Sequence, residues 1–208
     1  MSFEIRELKK EDMPELENII RKTWNYDRFA GSKTAKRLAR VFLISCLTNQ
    51  TFSRVALLEG KPVGIILAKN GAVHKCPFSY RWQQICAIAS VLFTREGRKV
   101  SKIFQGVNGV DKELLKRCKT LYPAELALFA VDASCRGKGI GKLLFQEALS
   151  YMKEQKLPRF YLYTDTSCNY GFYEHQGMVR RQEQDKVFFV NGEEAKMTFF
   201  IYDYEMTF

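Results

Sequence analysis

The stretch from Glu125 to Leu149 constrains this chain more than any other, because it reads as a strand, a glycine-rich turn and a helix in immediate succession. Leu126 to Val131 is a bounded apolar run, too short for a helix and suited to a strand buried on both faces. Ile140, Leu143, Leu144, Ala148, Tyr151 and Met152 then recur at helical spacing. That spacing predicts an amphipathic helix opening near Gly139 and closing before Pro158. Gly137, Gly139 and Gly141 therefore fall at a helix N-terminus. There, unpaired N–H groups and the positive end of the helix dipole favour an anion, and no Cβ holds a phosphate at a distance. Arg136, Lys138 and Lys142 add positive charge at the same place.

Spacing separates the anion loops that such a turn could be. A Walker loop needs its Gly-Lys pair followed by Ser or Thr, and here Gly141-Lys142 is followed by Leu143. A dinucleotide fingerprint needs a third glycine where Lys142 stands, although Asp165 does close the next apolar run. What remains is Arg136-Gly137-Lys138-Gly139-Ile140-Gly141, preceded by a strand ending in Val131-Asp132. This pattern resembles the coenzyme A pyrophosphate loop of the GCN5-related N-acetyltransferase (GNAT) superfamily. A second segment, Asn169-Tyr-Gly-Phe-Tyr-Glu-His-Gln-Gly-Met178 after the short strand Arg159 to Asp165, resembles that family's fourth helix and the strand following it.

The resemblance implies a fold and a chemistry. The expected fold is α+β: a central, mixed but mostly antiparallel sheet of about seven strands flanked by helices, in one domain over residues 1–208. The expected cofactor is acetyl-CoA, with Arg136, Gly137, Lys138, Gly139, Ile140 and Gly141 around its pyrophosphate and Asn169 as a hydrogen-bond partner. Phe129 and Val131 match positions whose main chain pairs with the pantetheine arm, and the Val131 amide matches the donor nearest the thioester oxygen. Tyr173 matches a tyrosine that protonates the departing thiolate; the competing reading is an aromatic packed beside Phe172. Glu125 matches a glutamate acting as general base through water, against a solvated strand end. Asn169 reads equally as a helix cap.

The implied reaction is direct acetyl transfer to a primary amine of a small molecule such as an aminoglycoside, a polyamine or an amino acid. A protein or ribosomal-protein acceptor ranks lower, because no accessory peptide-binding module is visible. A coenzyme-binding regulator without turnover is the rival on the same scaffold. Against the family pattern, residues 70–121 form an insertion with room for two or three helices. Trp82, Ile85, Cys86, Ile88, Ala89, Leu92 and Phe93 read as an apolar face there, and Asp111 as the cap of a shorter helix. Covering the acceptor cleft, closing a homodimer and extending the core are the three roles open to it.

The rest of the chain supplies the frame. Phe3 to Leu8 alternates as a half-buried strand, and Asp12 with Pro14 predicts a helix start with Leu16, Ile19, Ile20 and Trp24 on its apolar face. Trp24, Tyr26 and Phe29 read first as core and second as substrate-facing aromatics. Ser32 is the expected cap of a second helix reaching Leu47; Glu59 to Pro62 and Asn191-Gly192 are expected hairpin turns. A net charge of +10 suits anionic partners, and coenzyme A alone accounts for part of it, leaving nucleic acid a weaker reading. The six cysteines and two histidines show no metal-ligand spacing, so reduced thiols and no metal are expected. Cys135 and Cys168 flank the expected coenzyme site. No apolar run is long enough to span a bilayer and the first residues lack a signal peptide's apolar centre, so a cytoplasmic location without membrane partners is the default expectation.

Overall fold

Short alternating runs rich in β-branched and aromatic residues build seven strands: β1 (Phe3–Arg6), β2 (Phe52–Leu58), β3 (Lys61–Asn70), β4 (Ala124–Val131), β5 (Arg159–Asp165), β6 (Val179–Val190) and β7 (Glu193–Glu205). The computed structural model describes residues 3–190 and 193–207, with backbone alone at 102–105, 108, 189–190 and 193. The strands form one sheet in the order β1-β2-β3-β4-β5-β7-β6, antiparallel everywhere except between β4 and β5. Among the described residues the α-helices are α1 (Met13–Thr23), α2 (Ser32–Leu47), α3 (Phe78–Leu92), α4 (Arg95–Cys118), α5 (Ile140–Glu154) and α6 (Gly171–His175). This is the mixed, mostly antiparallel architecture expected from the sequence. Glu59 and Gly60 make the predicted β2–β3 turn with φ of 51° and 78°. The expected turn at Asn191-Gly192 lies outside the described residues.

Two irregularities open the sheet. Opposite the Leu67–Ala68 step of β3, residue Ala127 is an extra residue in β4, because Leu67 pairs with Leu128 and Ala68 with Leu126. The bulge reverses which side chains face which side: Leu126 joins the cluster under α5, whereas Leu128 and Ala130 join the one under α1 and α2. In addition, β4 and β5 pair only at Ala124–Phe160 and Glu125–Tyr161, after which they diverge. The alternate positions Glu125, Ala127, Phe129 and Val131 are only half-buried, so β4 is not closed on both faces as the sequence suggested.

Three apolar clusters hold the layers. One face carries α5, with Ile140, Leu144, Phe145 and Ala148 packed on Ile66, Leu126 and Phe160. On the other face Leu16, Ile20, Leu43 and Leu47 cover β2 to β4, and Val110 and Leu114 of α4 cover Phe188, Phe199 and Ile201 of β6 and β7. Each such side chain contributes roughly 1.5–3 kcal/mol on burial.

The insertion makes two helices, within the two or three expected, and departs from its sequence reading in two ways. Helix α4 runs unbroken for 24 residues through Asp111, which therefore caps nothing; the cap is Thr94, whose hydroxyl accepts the Gly97 N–H at 3.0 Å. The apolar face expected of α3 is largely solvent-facing, with Trp82 58 % and Phe93 85 % exposed, while the small Ala87 and Val91 are what it buries. Ser32 does not cap α2 either: Glu96 of α4 reaches across to accept the Gly31 N–H at 2.8 Å and the Thr34 hydroxyl. Asp12 precedes α1 as expected, but its carboxylate serves the Lys9 N–H at 2.8 Å and the Arg6 guanidinium instead of the helix amides.

Candidate active site

The predicted anion turn is present and open. Gly137 and Gly139 have φ of 74° and 80°, left-handed values that exclude most side chains, and a Cβ at either would meet nothing within 4 Å. Gly139 is the N-cap of α5 and no side chain bonds the helix's first amides, so the N–H groups at this end are left for solvent or an anion. Just before the turn, the Asp132 carboxylate accepts the Ser134 N–H at 2.9 Å and the Ser134 hydroxyl, which holds its pKa below the usual range. A Cβ at Gly141 would stand 3.5 Å from the Phe172 ring and 3.6 Å from the Phe129 ring.

This end of α5 forms one mouth of a cavity of about 1520 Å³ that passes through the gap between β4 and β5. Arg136, Gly137, Gly139, Gly141 and Lys142 line that mouth; Phe129, Val131, Asn169 and Tyr173 line the waist. At the far side stand Trp24, Tyr26, Phe29, Asp111, Glu125 and Asp165. The structure thus gathers nine of the eleven site residues read from the sequence. Lys138 is exposed and does not line the cavity, and the Ile140 side chain is buried in the core under α5, leaving only its amide at the helix start.

At the waist, the main chain of β4 is available on its free edge. The Asp132 N–H bonds to Val63 of β3 at 2.8 Å, and alternation along an antiparallel ladder turns the N–H groups of Phe129 and Val131 the other way, into the gap. Tyr173 is buried on α6 with its ring 6.2 Å from that of Phe129, both as a packed aromatic and as a cavity wall. Burial pushes its phenol far above the ordinary value, so at rest it is protonated and a donor. Asn169 is exposed, and its side chain makes no cap to α6. Helix α6 is clamped from behind: Glu174 accepts from Arg180 at 2.6 Å and from the Tyr202 hydroxyl at 2.7 Å, while the Arg180 guanidinium lies 4.4 Å from the Phe200 ring centre.

The far side is acidic. Glu125 accepts from Asn49 Nδ2 at 3.0 Å, and Lys69 donates to Asn49 Oδ1 at 2.7 Å, so the carboxylate is a held member of a network and not a solvated strand end. Burial, then the charge of Glu125, raises the Tyr161 phenol, whose hydroxyl faces that carboxylate. Asp165 accepts the Ser167 N–H at 2.7 Å. Burial, reinforced by the charges of Asp165 and Glu125, pushes the Asp111 carboxyl up to about 7. Burial also pushes the Cys168 thiol up to about 11, which leaves it protonated and a poor nucleophile. His74 bonds the Thr48 carbonyl at 2.9 Å and His175 the Gly171 carbonyl at 2.6 Å, and neither lines the cavity. Among the described residues no group of His, Cys, Asp and Glu could hold a metal, and no helix is long and apolar enough to cross a membrane.

Sequence reasoning missed Asp111, Asp165 and the Arg180–Glu174–Tyr202 clamp. Asp165 was legible as the acid closing an apolar run; Asp111 carried no signal, because its meaning depends on where a 24-residue helix lies.

The comparisons with known proteins agree with the fold. The profile of the acetyltransferase (GNAT) family matches residues 13–178. Solved structures share the fold at low identity. The smu.2055 protein of Streptococcus mutans UA159 superposes with a TM-score of 0.57 at 18 % identity, over 97 % of this chain and 98 % of that one. The PaiA N-acetyltransferase of Thermoplasma acidophilum, solved in complex with coenzyme A, gives 0.51 at 18 % identity, over 99 % and 100 %. The ribosomal-protein-S18-alanine N-acetyltransferase of Escherichia coli gives 0.53 at 13 % identity, over 99 % and 96 %. No curated protein sequence matches the chain.

Proposed function

The chain belongs to the GNAT acetyltransferase family, whose members use acetyl-CoA, and from that premise we propose that it transfers an acetyl group to the primary amine of a small molecule by direct attack on the thioester. The observation that carries the reading is the cavity itself, which joins an anion-binding helix start on one face of the sheet to a carboxylate-lined mouth on the other. Such a passage lets donor and acceptor approach one another from opposite sides.

The residues present fit the cofactor. The Gly137–Gly139 turn leaves an open cradle that a Cβ-bearing, right-handed turn would not supply, and Arg136 and Lys142 stand beside it for a diphosphate. When bound, acetyl-CoA supplies an acetyl carbonyl activated by a thiol leaving group. The Phe129 and Val131 amides offer hydrogen bonds along the gap, with Val131 as the donor toward the carbonyl oxygen. Tyr173, kept protonated by burial, hands its proton to the departing sulfur. Asn169, whose amide has no capping duty, is free to bond the ligand. Residues 1–208 act in this reading as one catalytic domain.

The test is release of free thiol from acetyl-CoA by the purified protein across a panel of primary amines, with calorimetric titration of coenzyme A alongside. Amine-dependent thiol release supports the reading. Tight coenzyme binding with no release over the whole panel replaces it with a non-enzymatic coenzyme-binding protein.

A further inference from the structure

Resting on that transferase reading, we infer that Asp111, carried into the cleft by the inserted helix α4, is a catalytic base for an acceptor that is an aliphatic oligoamine, with Glu125 and Asp165 holding a second ammonium of the same molecule.

In a chain of net charge +10, three carboxylates from three elements line one mouth of the cavity: Asp111 from α4, Glu125 from β4 and Asp165 from β5. Among the described residues none of the three forms an ion pair within 4 Å; Glu125 is served by the neutral Asn49 amide and Asp165 by Ser167. The charged and titratable groups around Asp111 are Glu125, Asp165 and the Tyr163 phenol, with Lys112 on its own helix and Arg28 on the same wall. The two nearby lysines of the last strands are occupied elsewhere: Lys186 donates to the Gly106 carbonyl at 3.3 Å and Lys196 pairs with Asp185 at 2.6 Å. Like charges gathered at a half-buried site are costly unless a cation joins them.

A second observation points independently to a ligand. The Thr164 hydroxyl, on a residue only 7 % exposed, lines the same cavity and makes no hydrogen bond within 3.5 Å to nitrogen or oxygen; the Cys168 thiol beside it is a weak partner. A buried polar atom left unpaired beside a cavity is costly unless an occupant of that cavity completes it. The walls add Trp24, Tyr26, Phe29 and Tyr163, which suit both the methylene spacers and the charged ends of an oligoamine.

The proton balance is simple. The acceptor enters as R–NH3⁺, and ionised Asp111 removes one proton to give R–NH2. The nitrogen lone pair forms the C–N bond to the acetyl carbon as the C–S bond breaks. The sulfur leaves with the Tyr173 proton, and Tyr173 recovers a proton from the newly bonded nitrogen through water. The products are R–NH–acetyl and the free thiol, and the proton on Asp111 returns to solvent. A carboxyl titrating near 7, in place of the usual value near 4, is strong enough to take that proton and still half ionised at neutral pH.

The test compares wild type, Asp111→Asn and Asp111→Glu in the 208-residue chain, each checked for a single cooperative thermal transition at pH 6. Acceptors are 1,4-diaminobutane and 1-aminobutane, followed by thiol release from pH 5.5 to 9.5. Diamine binding to the chain without acetyl-CoA is followed by calorimetry. The expected results are a kcat/KM for the diamine at least tenfold above that for the monoamine, and a wild-type profile that rises through about pH 7 and then levels. Asp111→Asn should lose that limb, follow the free amine up to its own pKa near 10, and bind the diamine at least tenfold more weakly. Asp111→Glu should restore the limb in part. Turnover with unchanged pH limb, selectivity and diamine affinity in Asp111→Asn overturns this inference alone. Coenzyme binding without turnover on any amine removes the transferase reading and this inference with it.

Discussion

Replacing Gly139 with alanine separates the two duties of the anion turn, since the cost can be worked from its backbone. Gly139 sits at φ 80°, ψ −7°, where an L-residue is strained by roughly 1–2 kcal/mol, and no atom lies within 4 Å of the new Cβ to add a clash. Melting temperature should therefore fall by only about 2–8 °C. If the turn relieves the strain by leaving the left-handed region, binding must restore it, and the coenzyme A dissociation constant rises by roughly 5–30-fold before any contact between Cβ and phosphate is counted. Gly139→Asn, which tolerates the left-handed region better, should recover part of both losses. Calorimetric titration with coenzyme A reads the affinity and scanning calorimetry the stability. Wild-type affinity together with unchanged stability in Gly139→Ala, a turn that relaxes at no cost to binding, would falsify the assignment of this turn to the pyrophosphate and leave it a helix start only.

Three other perturbations probe the frame. Tyr173→Phe should lower kcat by at least tenfold while coenzyme A affinity stays within about twofold, because general acid catalysis contributes about 10²–10⁴-fold; equal turnover removes Tyr173 from proton transfer. Asp203→Ala removes a carboxylate only 1 % exposed that holds Arg181 at 2.7 Å and the Tyr122 hydroxyl at 3.0 Å, and urea titration should show a loss of about 3 kcal/mol. A folded-state pKa of about 7 for Asp111, above its unfolded value near 3.9, means that its contribution to stability is complete at acid pH and lost as pH rises through 7. Asp111→Asn should therefore gain melting temperature over wild type between pH 5 and pH 8, and a constant difference across that range contradicts the buried-carboxyl assignment.

Local chemistry made most of the frame legible. Short bounded apolar runs located β4 and β5, alternation located β1, and Glu59-Gly60 marked a turn that needs two left-handed residues. The open glycine turn at the start of α5 was legible for a related reason: glycine spacing is a backbone property, and Arg136 to Gly141 places it within one turn. The insertion was not, because helical periodicity does not say which face is covered. Trp82 and Phe93 look like core and point outward, whereas Ala87 and Val91, too small to attract notice, make the contact. Caps failed for a related reason. Ser32 and Asp111 have the right side chains for capping, but Glu96 from a distant helix took the first task and the unbroken run of α4 left no helix start for the second. Where the acceptor enters is fixed by tertiary placement, and no local pattern carries it.

Helix α4 has a mechanical consequence. Its first turn is tied to α2 through Glu96, and its last turns are embedded on β6 and β7, so one rod of 24 residues, about 36 Å long, braces the two wings of a sheet joined at its middle by only two residue pairs. On that side the wings cannot spread without tearing an anchor at either end. On the opposite side α5 spans the same seam, with Phe145 against Phe129 of one wing and against Phe160 and Tyr204 of the other. A ligand bound along the idle amides of β4 would add to that bridge, and the free energy of its binding would reappear as resistance of the sheet to melting.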